Sequence, residues 1–310
     1  MARQQQVVII GGGIMGGDIA TIFAAGGWRV HVMSPSQKTR DALPARVSTG
    51  LGKLGAKAAN ASLVQTYAAL DPIPWPEVDL VIEAATEDLA LKRKLFSQLE
   101  ALARPEIPLA SNTSTFPIGE IGRHLKTRSR VVGLHYFMPA HLVPLVEIIQ
   151  ADFTDQKIAD QLEAQQKALG KAPVRVMKDI PGFIGNRLQH AMMREALYLV
   201  ADGVVSPEGI DTAVRYGFGF RFLACGPMKQ KEMSGWDTNL YAGTSLYPSL
   251  HCEQAPPKFL KEMVEKGRIG MKTKHGLWEW TDASVAQEKA RIEKVLQAAF
   301  EILKKDASQP

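Results

Sequence analysis

Residues 7–10, VVII, form an unbroken apolar run, and such a run fits a strand buried on both faces of a parallel sheet. A glycine-rich stretch from Gly11 to Gly17 follows, then a helical stretch at 18–25 and a second apolar run at 30–33. Together these make one strand–helix–strand unit. Further strand-like runs fall at 80–83, 108–110, 131–134 and 145–149, with a helical stretch at 89–102 between two of them. This alternation predicts an α/β fold class with a doubly wound sheet. Pro72, Pro74 and Pro76 mark a surface loop.

Near residue 180 the pattern changes. Beyond "KDIPGF" the periodicity is helical, at 184–202, 207–216 and 257–266, and Pro181 and Gly182 suit a hinge or a helix start. Two domains are expected, a dinucleotide-binding domain at 1–180 and an all-helical domain at 181–310. In the last segment, 283–305, Ile292, Val295, Leu296, Ala299 and Leu303 share one helical face, which suits docking on its own core.

The bulk numbers remove several functions. The 310 residues are 45% hydrophobic and 22% charged, with a net charge of +5 and no dense basic block, which argues against a nucleic-acid partner. No apolar run approaches the length of a membrane span, and the four-residue run near the start is too short for a signal-peptide core. Cys225 and Cys252 have no metal or redox spacing and read as free thiols of a reducing compartment. A cytoplasmic protein without a metal is expected.

Gly11-Gly12-Gly13-Ile14-Met15-Gly16 matches G-x-G-x-x-G between a strand and a helix. Gly11 permits a tight turn, Gly13 a close approach of the pyrophosphate, and Gly16 close helix–strand packing, while the helix N-terminus offers free N–H groups to phosphate. Ile14 and Met15 complete the turn. The next strand ordinarily ends in an acid that binds the ribose 2′-hydroxyl of NAD. Here it ends in Ser34, with Ser36, Lys38 and Arg40 close behind. Hydroxyls and cations suit a 2′-phosphate, so NADP(H) is expected over NAD(H).

Three more stretches carry chemistry: "ASNTSTFPI", "GLHYFMPAHLVPLVEII" and "DIPGFIGNRLQHAMMREAL". With the glycine loop and "VIEAATEDLALKRKLF", their order resembles the L-3-hydroxyacyl-CoA dehydrogenase family over roughly residues 5 to 280. The resemblance implies a Rossmann-type domain, a helical domain that forms a homodimer, and interconversion of L-3-hydroxy and 3-oxo groups with a nicotinamide cofactor. It assigns His135 as the base, Glu147 as its partner carboxylate, Ser114 as the hydroxyl on the substrate oxygen and Asn186 as the amide that polarises it. Glu87, Lys92 and Lys272 match cofactor-contacting positions. A histidine suits proton removal near neutral pH, and fixed dipoles suit developing oxygen charge. His141 has no such partners and reads as a core histidine.

The chain departs from the family at three points. Met138 stands where the family has Asn beside the substrate. The region after the second strand is shorter than the family's CoA-binding helical hairpin and carries Gly50, Gly52 and Gly55, which weaken a helix. The segment 172–211 with "GFGFRFLACGP" resembles the free-acid branch, which includes L-gulonate 3-dehydrogenase (lambda-crystallin) and carnitine dehydrogenase. There Arg221 could clamp a substrate carboxylate. The small-molecule partner is thus a 3-hydroxy or 3-oxo acid or its thioester. A cofactor-binding relative without catalysis, and a reductase of another C=O or C=N group, are the alternatives.

Overall fold

The structure, a computed structural model, describes residues 3–307. The chain divides into two compact units, Met1–Asn186 and Arg187–Pro310. In the first, strands β1 (Gln6–Ile10), β2 (Arg29–Met33), β3 (Val64–Tyr67), β4 (Leu80–Glu83), β5 (Leu109–Ser111), β6 (Val131–Tyr136), β7 (Leu145–Ile149) and β8 (Ala172–Val176) form one sheet. Their order is β3-β2-β1-β4-β5-β6-β7-β8. Neighbours run parallel except β6 and β7, which pair antiparallel. Helices α1 (Ile14–Ala25), α2 (Gln37–Lys53), α3 (Leu89–Leu102), α4 (Ile118–Gly122) and α5 (Gln156–Ala168) connect them.

The run 7–10 behaves as a two-faced strand. Val7 and Ile9 pack into one buried cluster with α1 and α2, and Val8 and Ile10 into another with α3. The strand order reverses between β1 and β4, and ligands of open α/β sheets bind at that crossing.

The strands β3 and β8 have no counterpart in the sequence reading because they are the sheet edges. VQTY has polar central positions and APVRV begins beside a proline, so neither shows an apolar run. Helix α2 corrects the reading of its glycines. It runs through Pro44, Gly50 and Gly52, held by Leu43, Val47 and Leu51 on one buried face. Gly50 is a contact point rather than a break, since a Cβ there would lie 2.7 Å from the Thr21 methyl of α1. The proline-marked loop is also more than surface, for Ile73 and Trp75 within it are buried.

In the second unit the chain continues from the helix α6 (Gly185–Ala201) into α7 (Pro207–Tyr216), α8 (Phe218–Arg221), α9 (Pro227–Ser234), α10 (Trp236–Leu246), α11 (Lys258–Glu265) and α12 (Asp282–Ala307). Apart from bridges at Gly270, His275 and Glu279, its described residues form no strand. Tyr198 of α6 stacks on His251 at 4.7 Å and donates to the Ala255 carbonyl. On α12, Leu296, Ala299 and Leu303 are half-buried, but Ile292 and Val295 are 42% and 52% exposed. The apolar face of this helix is thus only partly covered. Among the described residues no helix is long and apolar enough to cross a membrane.

The two glycines of α2 make opposite predictions. Gly50→Ala must push into Thr21 and should lower stability by about 1–3 kcal/mol. Gly52, with no atom within 4 Å of an added Cβ, should as Ala raise stability by about 0.5–1 kcal/mol. Urea midpoints of the two variants check both signs.

Candidate active site

The glycine turn sits at the crossing of the strand order. Gly11 has φ +108° and a Cβ there would lie 2.4 Å from the Ala84 carbonyl oxygen, so only glycine fits. Its N–H donates to the Met33 carbonyl at 2.8 Å, joining the ends of β1 and β2. A Cβ on Gly16 would meet the Gly11 carbonyl oxygen at 1.7 Å, which makes this the close-packing position. Around Gly13 no atom lies within 4 Å of an added Cβ. That open space lies at the N-cap of α1, where a pyrophosphate needs to approach. Ile14 is 63% exposed and Met15 packs on the core. These features fit a dinucleotide.

Of the groups at the end of β2, each has a different placement. Ser34 is buried, with its Cβ 3.3 Å from the added Cβ position on Gly12. Ser36 caps α2, its hydroxyl accepting from the Thr39 N–H at 3.3 Å. Arg40 donates to the Ser34 and Pro35 carbonyls at 2.6 and 2.9 Å and to the Gln37 amide oxygen. Lys38 is exposed.

A buried charged network lies beside the turn. Lys92 of α3 is 1% exposed and donates to both carboxylate oxygens of Glu83, at 2.8 and 3.0 Å, with Glu87 at 3.2 Å. Glu83 also accepts from the Ser111 hydroxyl at 2.7 Å and the Ala85 N–H at 2.7 Å. Lys92 therefore acts on the loop surface through Glu87. Burial opposes ionisation of Glu87, but the Thr113 hydroxyl, the Lys92 cation and the Thr115 N–H hold its carboxyl below the ordinary value. Glu83 and Thr113 were missed in the sequence. The signal was there for Glu83, an acid closing an otherwise apolar strand.

The antiparallel register sets His135 of β6 directly opposite Glu147 of β7. Both are buried, at 5% and 1% exposure, and His135 Nδ1 lies 2.7 Å from Glu147 Oε2. The other oxygen, Oε1, accepts the Ile184 and Gly185 N–H groups at 2.9 and 2.8 Å. Consecutive positive φ values, +74° at Gly182 and +51° at Phe183, turn the chain so that these donors reach the carboxylate. Phe183 is fully buried, and its ring and that of Phe137 flank the imidazole at 5.6 and 4.6 Å. Burial alone would raise the Glu147 pKa, but the bonds from His135, Gly185 and Ile184 outweigh it and lower it. The carboxylate is ionised and only accepts, so Nδ1 carries its proton and Nε2 is left basic.

The Asn186 amide donates to the Ser114 carbonyl oxygen at 3.3 Å, which brings these two predicted residues together. Ser114 itself is exposed. Asn112, two residues before it, accepts the Tyr136 N–H at 2.9 Å and so ties this loop to the strand of His135. Met138 is 67% exposed on the loop between β6 and β7. Arg221, the last residue of α8, and Lys272, on the turn before His275, are both exposed in the second unit.

His141 has a neighbour that the sequence reading did not give it. Its Nδ1 lies 3.2 Å from the Asp18 carboxylate of α1, which also accepts the Ala140 N–H at 2.9 Å. Lys171 donates to the Ala140 and Val143 carbonyls at 2.6 and 3.0 Å. Burial brings this lysine down to about 8, with the Asp18 charge acting the other way. The loop between the strands of His135 and Glu147 is thus tied to the cofactor helix.

Because folding lowers the Glu147 pKa, its contribution is present above the ordinary carboxylate value and is lost as pH falls through the lowered one. Glu147→Gln should lower stability at neutral pH by roughly 1–3 kcal/mol. Its deficit against wild type should shrink on acidification. Thermal melts from pH 7 down to the acid limit of folding check this.

Residues 6–180 match the family pattern "3-hydroxyacyl-CoA dehydrogenase, NAD binding domain", and residues 182–280 match "3-hydroxyacyl-CoA dehydrogenase, C-terminal domain". The 3-hydroxyadipyl-CoA dehydrogenase of Escherichia coli (strain K12) is 35% identical over 90% of this chain, which spans 60% of that longer protein. The 5-formyl-3-hydroxy-2-methylpyridine 4-carboxylate 5-dehydrogenase of Mesorhizobium japonicum is 30% identical, covering 96% of this chain and 98% of the relative. A solved structure of an enzyme of that name, described as an NAD+ dependent dismutase, superposes with a TM-score of 0.89 over 97% of this chain and 99% of its own, at 28% identity. The (S)-3-hydroxybutyryl-CoA dehydrogenase of Ralstonia eutropha superposes with a TM-score of 0.72 over 90% of this chain and 100% of its own, at 30% identity. The glycine turn, the histidine–carboxylate pair and both matched domains make this chain a member of the 3-hydroxyacyl-CoA dehydrogenase family, a nicotinamide-dependent oxidoreductase.

Proposed function

We propose that the chain interconverts the 3-hydroxy and 3-oxo forms of a compact free acid, with His135 as the base. The observation that carries this is the 2.7 Å contact of His135 Nδ1 with the ionised Glu147. Nε2 then takes the hydroxyl proton, and Glu147 steadies the imidazolium that results. A bound nicotinamide supplies the hydride acceptor. The Ser114 hydroxyl and the Asn186 amide offer dipoles to the oxygen as its charge changes. In the reductive direction the imidazolium returns the proton to the carbonyl oxygen.

The free acid is favoured over a thioester by two observations. Between β2 and β3 the helix α2 is followed only by a short 3-10 turn at Ala58–Leu63, where the family resemblance implies a CoA-binding hairpin. The TM-score of 0.89 with the pyridine-carboxylate dehydrogenase, against 0.72 with the hydroxybutyryl-CoA enzyme, points the same way. Arg221 is the candidate partner of the substrate carboxylate. A second reading, oxidoreduction of another carbonyl such as an aldehyde, draws on Met138 in place of the family amide and on the formyl group in that relative's name.

NADP(H) is proposed over NAD(H) because Ser34 leaves no acid to repel a 2′-phosphate and Lys38 is exposed beside it. Arg40 and Ser36, each engaged locally, contribute less. Within the domains 1–180 and 181–310, the helical one is proposed to dimerise and the whole to act in the cytoplasm. Leu188, Met192 and Met193 of α6 are 64%, 40% and 42% exposed in the single chain. Light scattering should then give twice the 33.9 kDa chain mass.

Matched 3-hydroxy free acids and CoA thioesters, assayed with both dinucleotides by absorbance of the reduced cofactor, test the substrate. A free acid should turn over, and His135→Gln should lower its kcat about 10²–10⁴-fold. A thioester favoured tenfold in kcat/KM would contradict the free-acid reading. A tenfold preference for NAD would contradict the cofactor reading.

A further inference from the structure

Arg46 lies on α2 and belongs to no motif in the sequence. Its guanidinium reaches back over the glycine turn and donates to three successive backbone carbonyls, of Gly12 at 3.2 Å, Gly13 at 3.2 Å and Ile14 at 3.1 Å. In a trans peptide the carbonyl and the next residue's N–H point in opposite directions. A cation on these three oxygens therefore faces away from the N–H groups of Gly13, Ile14 and Met15. Those are three of the four donors that the first turn of α1 leaves without intrahelical partners.

The placement runs against the usual electrostatics of a helix. Cations favour the C-terminal end, and here one sits at the positive N-terminal end, whose first turn holds no acid. An incoming anion relieves that mismatch. The sequence makes room for the arrangement at Gly17. A Cβ there would lie 2.5 Å from Arg46 Nη2 and 2.9 Å from its central carbon, so any larger residue displaces the guanidinium.

We propose that Arg46 is a positioning residue for the dinucleotide: its fork fixes and polarises the Gly12–Ile14 peptides and adds positive charge behind the pyrophosphate site, and Gly17 is the gap that admits it. The inference needs only a chain that binds a nicotinamide dinucleotide, and it stands apart from the choice of substrate above.

Fluorescence titration of the full chain with NADH and NADPH tests it, using Arg46→Ala, Arg46→Lys, Gly17→Ala and the double variant, each checked by circular dichroism. Arg46→Ala should raise the Kd of the better dinucleotide about tenfold, equivalent to about 1.4 kcal/mol. Arg46→Lys, a point charge without the fork, should fall between. Gly17→Ala should weaken binding when Arg46 is present and add nothing when it is absent, a non-additivity that general loss of structure does not produce. In competition, ADP should lose affinity to Arg46→Ala while adenosine, which lacks phosphates, should not. A Kd for Arg46→Ala within twofold of wild type, or Gly17→Ala and Arg46→Ala effects that multiply, would overturn the proposal. So would equal losses for ADP and adenosine.

Discussion

Glu147 receives three hydrogen bonds, and they come from two separate requirements of the fold. One is from His135, placed opposite by the β6–β7 register. The other two are from Ile184 and Gly185, aimed by the left-handed pair Gly182 and Phe183. A carboxylate buried to 1% exposure is tolerable only with such donors, because an unpaired buried charge is far too costly. The same bonds that make the burial possible fix the orientation of the imidazole. Structure and chemistry therefore depend on one group, and a change that loosens it disturbs both.

Around this pair the first unit is organised as two coupled loops. The glycine turn is held from one side by Ala84 and Met33 and from the other by Arg46. The loop after His135 is held by Asp18, on the helix that the glycine turn begins, and by Lys171. Asn112 links the Ser114 loop to the same strand. Most of these ties are side chains gripping backbone polar groups. They preorganise the loops before any ligand arrives, which is where fixed dipoles gain their catalytic value.

Much of this was legible in the chain. The apolar runs of β1, β4 and β7 are continuous and buried, so they announce themselves. The edge strands β3 and β8 do not, since one side of each ladder is open and their residues are mixed. Helix α2 was obscured by its own proline and glycines, and the burial of Leu43, Val47, Gly50 and Leu51 decides the matter. His135, Glu147, Ser114 and Asn186 could be named from motif order, and the geometry brings each pair of them together. Arg46 and Asp18 could not be named in this way, because their partners lie 32 to 34 and 122 positions off. Ordinary residue types at such separations carry no local signal.

The central claim is that Glu147 fixes the tautomer of His135 with the proton on Nδ1 and a free lone pair on Nε2. Nitrogen-15 NMR of the imidazole in histidine-labelled protein, with His135→Gln used to assign its resonances, reads this directly. The account predicts a protonated Nδ1 and an unprotonated Nε2 in the neutral ring, and loss of that preference in Glu147→Gln. A neutral ring with its proton on Nε2, or a tautomer indifferent to Glu147, would contradict it.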